Sequence, residues 1–249
     1  MRLPLLAVAL VVVSPLALHA DTTLFSTSFE APTYNPGPAA GQGPLIQFSG
    51  SSGTIETGVV HTGTQAIEFN AATDTSTFAG GQSIIGVGVP FTATPSDETV
   101  DLQMSAEFTS ATAGTNYDIL GVFSSEGFLD QLEYLNGEVF LGSNTANQVA
   151  VSAGVWNTYG LHIDYSTDTF TAIVNGQALL SSQFSNTNTG IQNIFFGINS
   201  LAGNDAGYFD DLSVTTNPTS PVPEPSSLAL LGTGALALMA AGRRKLLAR

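Results

Sequence analysis

The 249-residue sequence predicts an all-β fold, a two-sheet antiparallel sandwich or jelly roll, set between two short apolar ends. Three observations carry that prediction. Apolar and polar residues alternate at period two in run after run, and clusters of Gly, Ser, Thr and Asn interrupt those runs at short intervals. No window between the two ends shows a sustained helical stripe, so many short strands joined by turns must cover one another as layers.

Along the chain the first runs are Leu24 to Phe29, Ala66 to Phe69 and Ser83 to Val89. The clearest strand follows, in which Val100, Leu102, Met104, Ala106 and Phe108 alternate with Asp101, Gln103, Ser105 and Glu107. One face of it belongs to a core and the other to water. Tyr117 to Phe123 and Leu129 to Leu135 come next, and Tyr159, Leu161, Ile163 and Tyr165 repeat the alternation. Phe170, Ala172 and Val174 follow a turn at Ser166 to Thr169. Asn175-Gly176 is the favoured pair for a two-residue hairpin turn into Ala178 to Leu180. Ile194 to Ile198 and Tyr208 to Val214 complete the set.

Charge divides the chain more sharply than hydropathy does. Its five Lys and Arg are Arg2, Arg243, Arg244, Lys245 and Arg249, whereas 19 of the 20 acidic residues lie between Asp21 and Pro221. The interior therefore carries a net charge of −19. Nucleic acid and anionic lipid both need a basic face, so neither is a partner of this segment. The interior has the length of one large β domain. With no cysteine, it has no disulfide, thiolate metal site or cysteine nucleophile.

Arg2 and the apolar run from Leu3 to Leu18, ending at Leu18-His19-Ala20, read as a secretory signal peptide over residues 1–20. Leu18 is larger than the residue preferred three before a cleavage site; a retained anchor is the alternative to cleavage after Ala20. The domain then spans 21–217, and residues 218–249 form a linker and a three-part tail. That tail consists of Val222-Pro223-Glu224-Pro225-Ser226, an apolar helix over 227–242, and a basic end over 243–249. The prolines around Glu224 hold the motif extended. The apolar stretch is a marginal bilayer span, and Arg243, Arg244 and Lys245 would keep the end cytoplasmic.

The order of those parts resembles the PEP-CTERM sorting signal of Gram-negative bacteria, many of them makers of extracellular polysaccharide. The resemblance implies transient inner-membrane anchoring and recognition by an exosortase, a membrane cysteine transpeptidase-like enzyme that cleaves near the Pro-Glu-Pro motif. Signal peptidase and exosortase are then the processing partners, and the cell surface or extracellular matrix is the destination. Cargo domains carried by such tails are unrelated to one another, so the tail fixes a route and not an activity.

A second resemblance concerns the domain. Trp156, the alternation through Ile163, Asp164, and the hairpin through Asn175-Gly176 are similar to the central hairpin of concanavalin A-like, or laminin G-like, jelly rolls. Ser28-Phe29-Glu30 and Tyr208-Phe209-Asp210-Asp211-Leu212-Ser213-Val214 agree with its first and last strands. The resemblance implies that these strands lie together and that a structural calcium sits between them. Glu30, Asp210 and Asp211 would supply carboxylate oxygens, the hard ligands Ca²⁺ takes.

Sugar binding needs an aromatic face for the ring and polar groups for its hydroxyls. Tyr34, Tyr117, Tyr134 and Trp156 are the available candidate ligand-binding residues, of which the three tyrosines are retained; most aromatics of a sandwich are core, and Trp156 opens a strongly alternating strand, which favours the core for it. Related sequences often carry Trp where this chain has Pro44-Leu45-Ile46, which weakens a platform at that loop. A jelly-roll glucanase would need Glu-x-Asp-x-x-Glu, but Phe128-Leu129-Asp130-Gln131-Leu132-Glu133 has Phe128 at the nucleophile position. Asp130 and Glu133 therefore read as a wet strand face. Beyond the leader only His61 and His162 remain, with no Gly-x-Ser-x-Gly elbow, so a Ser-His-Asp hydrolase is not expected. His162 reads as solvent-facing and His61 as part of a turn.

The leading expectation is an exported, non-enzymatic envelope or matrix protein that binds glycan, with extracellular polysaccharide as partner. A structural or adhesive spacer and a polysaccharide-active glycosidase or lyase are the alternatives.

Overall fold

The computed structural model describes residues 21–49, 53–72, 83–94, 97, 99–109, 115–125, 127–142, 148–184, 190–200 and 205–217. They belong to a compact unit from Asp21 to Thr219 and contain strands in two antiparallel sheets. In chain order these are β1 (Thr22–Thr27), β2 (Gly37–Pro38), β3 (Ile46–Ser49), β4 (Thr54–Glu56), β5 (Ala66–Asn70), β6 (Ser83–Ala93), β7 (Thr99–Phe108) and β8 (Thr115–Ser124). There follow β9 (Gly127–Leu135), β10 (Glu138–Leu141), β11 (Gln148–Ala150), β12 (Asn157–Asp164), β13 (Thr169–Val174), β14 (Gln177–Gln183), β15 (Ile191–Ser200) and β16 (Ala206–Asn217).

The nine-stranded sheet runs β14-β13-β12-β7-β16-β5-β4-β2, with β1 also on β16. The seven-stranded sheet runs β11-β10-β9-β8-β15-β6-β3. Each expected apolar run falls within a strand or overlaps one. The short strands β2, β3, β4, β10 and β11 lack a long alternation, and sequence periodicity does not find them. Two hairpins turn on a pair with positive φ at both residues, Asn175 (49°) with Gly176 (78°) and Asn136 (55°) with Gly137 (85°). That geometry matches the twist of the strands it joins, and side chains other than Asn, Asp and Gly resist it.

Alternation builds the core. On β7 the buried face is Val100, Leu102, Met104, Ala106 and Phe108, and on β12 it is Tyr159, Leu161 and Ile163. Phe108 is central, with its ring 4.4 Å from Tyr117, 4.4 Å from Tyr134 and 5.8 Å from both Tyr159 and Phe209. Truncating a ring so enclosed costs about 3–5 kcal/mol. A second group joins Phe29, Phe69, Phe196 and Phe209.

Among the described residues no helix is long and apolar enough to cross a membrane. The leader, the helix expected over 227–242, Val222 to Ser226, and Arg243, Arg244 and Lys245 lie outside the described residues.

Candidate functional site

The first and last strands pair, as the resemblance implied. β16 meets two partners along one edge: its first half pairs with β5 up to Phe209 opposite Ile67, and its second with β1 from Leu212 opposite Thr27. Asp210 and Asp211 occupy the gap between them. On the other edge the register with β7 shifts between Asp210 and Ser213. A bulge re-aims side chains that regular pairing would fix. Asp211 sits at φ 51° and Phe29, next to Glu30, at φ 56°. Two non-glycine residues in the left-handed region thus adjoin the carboxylates of Asp210 and Glu30.

The chain leaving β1 and the chain entering β5 converge on this gap, so all three carboxylates reach one loop. Asp210 Oδ2 accepts the backbone N–H of His61 (3.2 Å) and of Thr62 (3.0 Å), and its Oδ1 accepts that of Asp211 (2.8 Å). Asp211 accepts the Thr62 hydroxyl at 2.6 Å and lies 2.7 Å from Nδ1 of His61. Glu30 accepts the backbone N–H of Thr64 (2.7 Å) and Gln65 (3.0 Å) and the Thr64 hydroxyl (2.6 Å). Residues 61–65 are therefore clamped from both terminal strands.

The electrostatics of the clamp differ along it. The Thr64 hydroxyl and the backbone donors hold the Glu30 carboxyl below its usual value. Asp210 is fully buried, and burial pushes its carboxyl up to about 6, with Asp211 adding repulsion against its backbone donors. Among the described residues no group of three or more His, Asp or Glu side chains is arranged to hold a metal ion. Glu30, Asp210 and Asp211 share a loop, and their oxygens are engaged by its donors.

The aromatic expectations reverse. Tyr34, Tyr117 and Tyr134 are 3%, 0% and 0% exposed, which makes them core residues and not ligand contacts. Tyr34 meets Phe29 edge-on at 5.4 Å, and Tyr117 and Tyr134 flank Phe108. Trp156, expected in the core, is only half-buried and packs against exposed His61 with ring centroids 5.1 Å apart. It lies just before β12, in phase with Thr158 and His162 and out of phase with buried Tyr159 and Leu161, so it belongs to the outer face. Because Nδ1 faces Asp211, the imidazole keeps Nε2 without a protein partner among the described residues.

Asp130 and Glu133 are not a wet strand face. Glu133 is 7% exposed and sits opposite Asp118, also 7% exposed, whose carboxyl is pushed up to about 7 by burial and by Glu133. Asp130 instead accepts the Ser182 hydroxyl of β14 at 2.6 Å. Three positions apart on one strand, Asp130 and Glu133 face opposite sides, so they cannot converge on one glycosidic bond. His162 is half-exposed and lies 2.7 Å from Asp101.

Comparison with known proteins places the tail first. Residues 221–245 match the family described as PEP-CTERM protein-sorting motif. The chain carries a PEP-CTERM sorting motif. This motif implies export through an exosortase-type system to the cell envelope or surface. No curated protein matches the chain in sequence.

Solved structures place the fold. The cellulose-induced protein Cip1 aligns with a TM-score of 0.52 and 14% identity over 76% of this chain and 96% of its own. A sialidase aligns with a TM-score of 0.53 and 9% identity over 80% of this chain, which spans only 18% of the sialidase. The ligand-binding domain of botulinum neurotoxin serotype D in complex with N-acetylneuraminic acid aligns at 0.50 and 11% identity, over 80% of this chain and 48% of that one. At these identities the likeness is one of fold, a jelly-roll sandwich.

Proposed function

We propose that this protein is a non-enzymatic, glycan-binding component of the cell surface or extracellular matrix, delivered there by its PEP-CTERM tail. The observation that carries the reading is the His61–Trp156 pair on the outer face of the nine-stranded sheet, at 5.1 Å and beside the clamped loop. A half-buried indole fixed next to polar groups is what a sugar ring stacks on. The loop beneath it is tied to two strands, so little order is lost on binding. At the level of fold alone, a neighbour in complex with N-acetylneuraminic acid supports an architecture that can hold a sugar; that sugar is acidic and does not set the class taken by this chain. Against catalysis stands the divergence of Asp130 and Glu133.

Calcium at Glu30, Asp210 and Asp211 forms part of the proposal. Its support is an interior without Lys or Arg and the convergence of the three carboxylates on residues 61–65; a bound Ca²⁺ would have to displace the loop donors these oxygens now accept. Before processing, the apolar 227–242 segment holds the protein at the inner membrane, and removal of both ends would leave a product with no Lys or Arg.

A glycan array probed with the protein, with and without millimolar Ca²⁺, tests the binding reading; no glycan retained under either condition would end it. Intact-mass analysis of the envelope-associated species tests the route. Residues 1–20 and the basic end should both be missing, and a mature species retaining Arg243 to Arg249 would overturn the cleavage.

A further inference from the structure

On the outer face of the nine-stranded sheet, one row of side chains crosses three strands and reaches the residue just before a fourth. Glu107 of β7 pairs with Tyr208 of β16, and Tyr208 pairs with Glu68 of β5. The register of β12 on β7 ends with Asn157 opposite Ala106, so Trp156, one residue earlier, continues the row on the far side of Glu107. The three strand members alternate with buried neighbours, Ala106 and Phe108 flanking Glu107, Phe209 following Tyr208, and Ile67 and Phe69 flanking Glu68, whereas Trp156 lies between exposed Val155 and half-buried Asn157. The row thus reads Trp156, Glu107, Tyr208, Glu68, with aromatic and carboxylate in alternation.

Its geometry suits an extended ligand. Trp156 and Tyr208 stand two strand spacings apart, about 9.5 Å between backbones, far enough to stack on separate rings of one chain. His61, held by Asp210 and Asp211 of the same strand as Tyr208, packs against Trp156, while at the other end Glu68 accepts from Asn70 at 3.1 Å and from the Tyr208 hydroxyl at 3.4 Å. Burial and the nearby Glu68, Glu56 and Glu107 push the Tyr208 phenol up to about 12, so it stays a neutral hydrogen-bond donor throughout the physiological range.

Charge selects the ligand class. Carboxylates accept hydrogen bonds from hydroxyl or ammonium groups and repel other carboxylates, and the domain has no Lys or Arg to offset that repulsion. We infer that the Trp156–Glu107–Tyr208–Glu68 row is the binding site for a pyranoside chain without acidic groups, one sugar stacked on Trp156 and a second on Tyr208. This assignment rests on the glycan-binding reading above, and narrows it to a site and a class of sugar.

Trp156 is the single tryptophan of the chain, so its emission reports on this site alone. The full chain, held in a sugar-free zwitterionic detergent, is titrated with hexaoses of glucose, mannose, galactose, N-acetylglucosamine and glucosamine, and with oligogalacturonate of equal length. Calorimetry runs in parallel. At least one neutral or amino hexaose is expected to shift the Trp156 emission, and oligogalacturonate to leave it unchanged. Trp156→Ala and Tyr208→Ala should each raise the calorimetric Kd at least tenfold for that sugar. A hexaose that binds by calorimetry without moving the emission puts the site elsewhere and leaves the glycan reading standing. Oligogalacturonate that shifts the emission as strongly overturns the sugar class. No heat with any sugar overturns the glycan reading itself, and the wild-type emission decides the site even where a variant fails to fold.

Discussion

The imidazole of His61 lies against the indole of Trp156, ring centroids 5.1 Å apart, while the same imidazole contacts Asp211 at 2.7 Å. One residue thus links the loop before β5, the bulge of β16 and the entry to β12. The indole on the sheet's outer face is fixed in place by hydrogen bonds made elsewhere.

His61→Ala removes the ring that shields one side of Trp156. The emission maximum should move to longer wavelength as water reaches the indole, while the far-ultraviolet circular dichroism of the sandwich stays unchanged. An unmoved emission spectrum would mean that the two rings do not pack in solution.

Asp210→Ala strips acceptors from three backbone N–H groups at a fully buried position. Lost acceptors of this kind cost about 1–3 kcal/mol each when no water replaces them, so a loss of at least about 2 kcal/mol is expected in urea unfolding. Asp210→Asn, which keeps one acceptor oxygen, should recover part of it.

Stability should be greater at about pH 5 than at about pH 8. Burial raises the Asp118 carboxyl from 3.8 to about 7 and that of Asp210 from 3.8 to about 6. Their folded forms hold protons that the unfolded chain has released, and stability drains away as pH climbs through those windows. His162 acts in the same direction: its bond to Asp101 raises it above 6.5, giving stability present below 6.5 and lost as pH rises through the folded value. Glu30 and Asp164, lowered by Thr64 and Ser166, contribute above their ordinary values and lose that contribution only in stronger acid. Thermal melts across this range should show the decline, and Asp118→Asn should flatten it.

If calcium occupies the clamp, millimolar Ca²⁺ raises the melting temperature and Mg²⁺ does so less, because Ca²⁺ tolerates irregular oxygen shells. Binding to the folded state alone adds about 2.7 kcal/mol at a hundredfold excess over Kd. Glu30→Gln should abolish the response, and a melt insensitive to Ca²⁺ in the wild type would remove calcium from the account.

Alternation made the sandwich legible, because a strand with one buried face writes that face into the sequence at period two. The same rule, followed one step further, would have placed the aromatics correctly. Tyr117 is in phase with Ile119 and Tyr134 with Leu132, which puts both inside, whereas Trp156 shares the phase of Thr158 and His162. Glu30, Asp210 and Asp211 could be singled out as carboxylates near the strand ends that meet. Their partners could not, since the loop answers them largely with backbone N–H groups, which every residue except proline has. The burial of Glu133 also escaped the sequence, because it depends on the register that sets Asp118 opposite.

The most direct test is retention on polysaccharide extracted from the envelope of the cells that make this protein, with wild type and Trp156→Ala compared at equal thermal stability. Wild type is expected to be retained, and the variant to elute at least tenfold more readily. Equal retention of the two, or retention of neither, would contradict a glycan site built on Trp156.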